Sequence, residues 1–71
     1  MNTNLLKALI VRHGDTQHKL ADSMGIPVSA LNQRISGKVE FRRNEIKFIK
    51  KRYGLTAQET DEIFFEDAVS A

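Results

Sequence analysis

The chain has 71 residues, no cysteine, and an apolar content of 41% that is ordinary for one folded globular domain. Disulfides and thiolate–metal sites are therefore excluded, and the longest apolar run, residues 8–11, is far too short to cross a bilayer. The net charge of +2 hides an asymmetry, because residues 1–53 carry all eleven Lys and Arg and four acids (+7), whereas residues 54–71 carry five acids and no base (−5). This separation suits a protein that presents one face to phosphates, although a solvated surface with a charged tail explains it equally well.

The apolar pattern predicts helices throughout and no strand, because no segment alternates with a period of two residues. The first predicted helix runs from about Asn4 to His13. Asn2, Thr3 or Asn4 caps this helix, and Gly14 ends it.

Residues 16–37 have the spacing of a helix-turn-helix. Ala21 is small and lies in the middle of the first helix of this unit, where the second helix passes close. Gly25 follows at the chain reversal, where the backbone needs a positive φ. Glycine adopts this conformation with the lowest steric cost because it has no Cβ. Ile26 supplies the apolar contact beside this turn, and Leu31 fills the angle between the two helices. This pattern points to function, since two such helices can lay the second in a DNA major groove.

The predicted helix boundaries around this unit come from capping residues. The second helix starts after Asp15 or Thr16, and Pro27 opens the third, where its missing N–H costs nothing. The third helix ends at Ser36 and Gly37.

Two more helices are predicted after a polar loop. The fourth spans about Arg43–Tyr53, with Ile46 and Ile49 inward and either Phe48 or Tyr53 beside them. The fifth begins at the capping box of residues 56–59 and carries three apolar residues, Ile63, Phe64 and Phe65. We expect the acidic end, about residues 66–71, to be frayed.

The outer face of the third helix is the predicted site of base reading. At about 100° per residue, Ser29, Asn32, Gln33 and Ser36 lie opposite the buried side. Asn and Gln can bond an adenine edge at two points, and Val28 at the helix start can touch a thymine methyl group. An ordinary solvated face more often carries Glu and Lys, so base reading is the favoured interpretation.

Phosphate contacts are expected from the residues that surround this helix. The predicted phosphate-binding residues are Gln17, Lys38, Arg42 and Arg43. Lys19 and Arg34 are weaker candidates, because Arg34 flanks the buried face. The remaining bases of the fourth helix are expected to be solvated surface and not a second binding site, namely Lys47, Lys50, Lys51 and Arg52.

With these residues in place, the chain resembles small helix-turn-helix proteins of the Cro/repressor type from temperate phages. It also resembles the xenobiotic-response-element-like regulators that share a five-helix domain. The resemblance covers residues 3–65 and rests on TQHKLADSMGI, on the ISGK end of the third helix, and on FRRNEIKFIKKRYGLTAQETDEIFF. It implies an all-α, lambda-repressor-like domain that binds double-stranded operator DNA at paired half-sites in the cytoplasm of a bacterial host.

Carried onto this chain, the family's base-reading positions fall on Val28, Ser29, Asn32 and Gln33. Its phosphate positions fall on Gln17, Lys38 and the pair Arg42 and Arg43. Two positions depart from the pattern. Arg34 stands where many members have an apolar residue, with Ile35 taking over the packing, and Val28 stands where well-known members have a polar reader.

A protein-binding role is the open alternative. The chain is similar in length and pattern to the phage proteins called modulators of repression, which are thought of as acting through a cognate CI-type repressor. An apolar patch would then form a heteromer, or a homodimer through the fifth helix, and its candidates are Val28, Phe64, Phe65 and Val69. Alternatively, one of the two phenylalanines belongs to the core and the other is half-covered.

The sequence offers no pattern for catalysis. His13 and His18 are separated by the helix-ending Gly14 and do not have metal-ligand spacing. There is no nucleophile–base pattern and no glycine-rich phosphate loop. We therefore expect no enzyme activity, no metal and no cofactor.

Overall fold

The computed structural model describes residues 1–65, which form helices and connecting turns without a strand, so the all-α prediction is confirmed. The helices are α1 (Thr3–Arg12), α2 (Gln17–Met24), α3 (Val28–Ile35), α4 (Arg43–Tyr53) and α5 (Ala57–Thr60), which continues into a π-helical turn (Asp61–Phe65). Within residues 1–65, no helix is both long and apolar enough to cross a membrane. The expected fraying of residues 66–71 and the interface candidate Val69 lie outside the described residues.

Side-chain caps fix where three of the helices begin. Asn2 caps α1, and Thr16, not Asp15, caps α2. The capping box predicted before α5 is confirmed, because the Thr56 hydroxyl accepts the Glu59 N–H at 3.1 Å and the Glu59 carboxylate accepts the Thr56 N–H at 2.9 Å. Pro27 precedes α3 as its N-cap residue instead of being its first helical residue.

The turn between α2 and α3 follows the predicted chemistry. Gly25 has a φ of +72°, a left-handed conformation that residues with a Cβ rarely adopt. This lets the Ile26 N–H reach back and donate to the carbonyl of Ala21 at 3.1 Å, as in a Schellman helix end. Ala21 is 2% exposed and Leu31 is fully buried, so the small and the large apolar residue both serve the packing of α2 on α3.

The core joins α1, α2, α3 and α4 to the π-helical turn that continues α5. Its fully buried side chains are Leu6, Leu20, Leu31, Ile35 and Ile49. Of the two aromatic residues considered for the inner side of α4, Tyr53 is buried (7% exposed), whereas Phe48 is 36% exposed. The start of α1 ties two distant helix ends together, since the Asn2 N–H donates to the Ile63 carbonyl at 2.7 Å and the Thr3 hydroxyl donates to the Ile35 carbonyl at 2.8 Å.

Candidate nucleic-acid interface

Helix α3 is anchored by one side and open on the other. Leu31 and Ile35 are 0% and 2% exposed and hold the inner side against the core. Ser29, Asn32 and Gln33 are exposed on the other side, as predicted from helical periodicity. We call these three residues the reading face. Because α3 contains no acidic residue, nothing on this face repels the electronegative edges of base pairs or the phosphates beside them.

Val28 and Ser36, which flank the reading face, are less available for contacts with a ligand than the sequence indicated. Val28 is half-buried and packs against the core, because it begins α3 directly above the turn from α2. Only the exposed part of the Val28 side chain is therefore available for the base or protein contact that the sequence predicts. The Ser36 hydroxyl donates to the carbonyl of Gln33 at 3.1 Å, so this hydroxyl is engaged at the end of the helix.

The predicted phosphate-binding residues lie around α3, on the elements that precede and follow it. Lys38 follows α3, Arg42 is the N-cap of α4, and Arg43 is its first residue; all three side chains are exposed. Gln17 is the half-buried first residue of α2. Cations at a helix N-terminus oppose the helix dipole, so Arg42 and Arg43 gain from an anion bound beside them. Such an anion would also accept from the free N–H groups of the first turn.

Arg34 is engaged within the protein instead of being free for phosphate. Its Nε donates to Oε1 of Glu45 at 2.9 Å, and its Nη1 donates to the carbonyl of Ala30 at 3.0 Å. The same Glu45 oxygen accepts the Arg42 N–H at 2.8 Å, so one carboxylate both caps α4 and pairs with α3. The two side chains are 12% and 9% exposed. This pair fixes α3 relative to the N-terminus of α4, where the exposed Arg42 and Arg43 lie.

The buried position of Glu45 was not predicted. A glutamate three residues after a helix start is a capping signal, which identifies its bond to the backbone. No nearby residue in the sequence indicates that Glu45 also pairs with Arg34 on α3.

A second ion pair joins the start of α2 to the end of α4. Oδ2 of Asp15 accepts from Arg52 Nε at 2.8 Å and from the Tyr53 hydroxyl at 2.7 Å, while Oδ1 accepts the Thr16 N–H at 2.9 Å. These bonds, that of Arg52 first, hold the pKa of Asp15 well below its ordinary value. Burial, and then the hydrogen bond to Asp15, raises the pKa of Tyr53 above its ordinary value. Arg52 is exposed, as predicted, but the sequence did not indicate that its guanidinium also binds this carboxylate.

The two adjacent phenylalanines of the π-helical turn have different environments. Phe64 is 9% exposed and its ring packs edge-on against Phe41, with centroids 5.3 Å apart. Phe64 therefore belongs to the core. Phe65 is 65% exposed and lines two open depressions of about 440 and 460 Å³, both also lined by Phe41 and Ile46.

No group of three or more His, Cys, Asp or Glu side chains within residues 1–65 is arranged to hold a metal ion. His13 packs its ring on Tyr53 with centroids 4.7 Å apart, and His18 is exposed on α2.

Comparison of the chain with protein-family models, with curated proteins and with solved structures found no match.

Proposed function

We propose that this chain is a transcriptional regulator that binds operator DNA by inserting α3 into the major groove. The observation that carries the proposal is the reading face, an acid-free set of amide and hydroxyl groups on a helix whose other side is locked into the core. Gln33 and Asn32 are the side chains with the donor–acceptor pairs that read adenine, and Ser29 can bond several base edges.

The charge distribution supports the same proposal. Lys38, Arg42 and Arg43 are exposed where the chain leaves α3 and enters α4, and none of them is in a salt bridge within the described residues. Cations placed beside a reading helix fix its register on the duplex without carrying sequence information. The resemblance to Cro/repressor-type proteins extends the proposal to a genetic switch between lysis and lysogeny in a phage-infected bacterium.

The size of α3 implies paired half-sites. With eight residues, α3 spans only about two turns and contacts few base pairs, so a monomer would bind weakly. A two-fold dimer would place two copies of α3 in successive major grooves about 34 Å apart. Phe65, at the end of the π-helical turn, is 65% exposed and is available for such a dimer interface.

The experiment is a selection of random duplexes by the purified chain, followed by titration of the enriched pool and of random DNA at two salt concentrations. The proposal predicts enrichment of a short half-site, tighter binding than to random DNA, and a steep decrease in affinity with salt. The spacing of repeated half-sites would report the dimer. A pool without enrichment would contradict sequence-specific recognition.

Gln33→Ala tests the role of the reading face. We expect it to weaken binding to the selected duplex by about 1–3 kcal/mol and to relax specificity at one base pair. Gln58→Ala is the matched control, because Gln58 is an exposed glutamine on α5 and should leave both affinities unchanged. Equal losses on selected and random DNA for Gln33→Ala would refute base reading by this residue.

A second candidate function is modulation of a cognate CI-type repressor by direct binding. The observation that favours it is Phe65, which is 65% exposed and lines two open depressions together with Phe41 and Ile46. Large exposed apolar side chains beside such depressions are typical of protein interfaces.

Phe65→Ser discriminates this candidate from DNA reading. The fluorescence anisotropy of the labelled wild-type chain should rise when the cognate CI-type repressor is added. The anisotropy of labelled Phe65→Ser should not rise. Val11→Ser is the matched control, because Val11 is an exposed apolar residue on α1, 74% exposed. A repressor response that survives Phe65→Ser, or that disappears equally in both variants, would contradict this candidate.

A further inference from the structure

Arg52 holds both ends of α2. Its Nε donates to the carboxylate of Asp15, just before the helix, and its Nη1 donates to the Ser23 hydroxyl at 2.9 Å, near the end of the helix. The Asp15 side chain is 6% exposed, whereas that of Arg52 is 30% exposed. The pair therefore lies at the surface with the cation covering the carboxylate.

This pair stands beside one of the predicted phosphate contacts. Asp15 directly precedes Thr16, the cap of α2, and Gln17 is the first residue of that helix. Asp15 and Arg52 also line an open depression of about 420 Å³ together with Lys19. An unpaired carboxylate at this position would repel a phosphate approaching the N-terminus of α2.

Resting on the proposed function, we propose that Arg52 supports DNA binding without contacting DNA, by neutralising Asp15 beside the phosphate path at the start of α2. Arg52 is thus a positioning residue that acts through the charge of Asp15. Its Nε and Nη1 already donate to Asp15 and Ser23, so the guanidinium is oriented toward α2.

Four proteins separate the indirect role from a direct one. The wild-type pair has no net charge, Arg52→Gln leaves one negative charge, Asp15→Asn leaves one positive charge, and the double variant returns to no net charge. Affinity for a random-sequence duplex is measured at about 50 mM salt, where charge effects are large, and again at about 0.5 M. Thermal unfolding of each variant fixes a temperature at which all four are folded.

We expect Arg52→Gln to weaken binding roughly three- to tenfold at low salt, because it uncovers one charge beside the phosphates. The double variant Asp15→Asn/Arg52→Gln should return to within about twofold of wild type, and Asp15→Asn alone should bind as tightly as wild type or more tightly. The differences should shrink at high salt and be the same for selected and random DNA.

A double variant as weak as Arg52→Gln would overturn the inference, because Arg52 would then contact phosphate itself. Four equal affinities would overturn it as well, since the Asp15 charge would not reach the DNA. If Arg52→Gln does not fold, the test rests on Asp15→Asn. Weaker duplex binding by Asp15→Asn than by wild type would then overturn the inference. A wild-type chain that binds no duplex would overturn the proposed function, whereas wild-type binding with the wrong order of variants overturns this inference only.

Discussion

Removal of the Glu45 carboxylate should destabilise the fold more than any other single change to a charged residue of α4. Glu45→Ala leaves the guanidinium of Arg34 mostly buried without its partner and leaves the Arg42 N–H at the start of α4 without its acceptor. Breaking a fully buried ion pair costs about 3–5 kcal/mol, and the 12% and 9% exposure of the two side chains reduces this to about 2 kcal/mol. The lost cap adds about 1 kcal/mol, so we expect a total near 3 kcal/mol.

Urea denaturation followed by circular dichroism measures this loss. A domain of this size has a free energy of unfolding of about 4–10 kcal/mol, so the variant should remain folded in the cold with a clearly lower midpoint. Glu40→Ala is the matched control, because Glu40 is exposed and in no salt bridge within the described residues, and it should change the free energy by less than about 0.5 kcal/mol.

A second substitution identifies the source of the loss. Arg34→Met in the Glu45→Ala background removes the unpaired cation and replaces it with an apolar side chain of similar length. This double variant should recover about 2 of the 3 kcal/mol, since only the cap of α4 is then missing. A loss below about 1 kcal/mol for Glu45→Ala, or no recovery in the double variant, would refute the reasoning.

Three further predictions concern DNA affinity, packing and pH. Arg43→Ala should weaken binding to selected and random duplexes alike and lower the slope of log affinity against log salt by about one, measured by fluorescence titration; a loss confined to one sequence would contradict a phosphate contact. Leu31→Ala should lower the free energy of unfolding by about 2–5 kcal/mol in urea, because Leu31 is fully buried between α2 and α3. Since the pKa of Asp15 is lower in the folded chain than in the unfolded chain, its contribution to stability is present above about pH 4 and is lost as the pH falls below that value. Asp15→Asn should flatten this acid dependence, and exposed Asp22→Asn should leave it unchanged; equal curves for all three proteins would contradict the assignment.

The helices were predictable because their signals are local. The cap at Thr16, the left-handed Gly25 and the capping box of Thr56 and Glu59 each depend on residues at most a few positions apart. The inner and outer sides of α3 also followed from the helical period alone. The base-reading and phosphate-binding roles of these residues stay predictions, since they depend on a ligand.

The two ion pairs were not predictable in the same way. Arg34 and Glu45 are 11 positions apart, and Asp15 and Arg52 are 37 apart, so each pair exists only after the helices pack. The sequence left the choice between Phe48 and Tyr53 open for a similar reason. Both are aromatic residues of α4, and the partner that buries Tyr53, the loop carrying Asp15, is remote in sequence.

The most direct test of DNA reading by α3 is mapping of backbone amide chemical shifts during titration with the selected duplex. The proposed function predicts the largest changes at Ser29, Asn32 and Gln33, with smaller ones at Arg42 and Arg43 and none at Gln58. Changes centred on Phe65 with an unaffected α3, or no change at all at duplex concentrations that saturate binding, would contradict it.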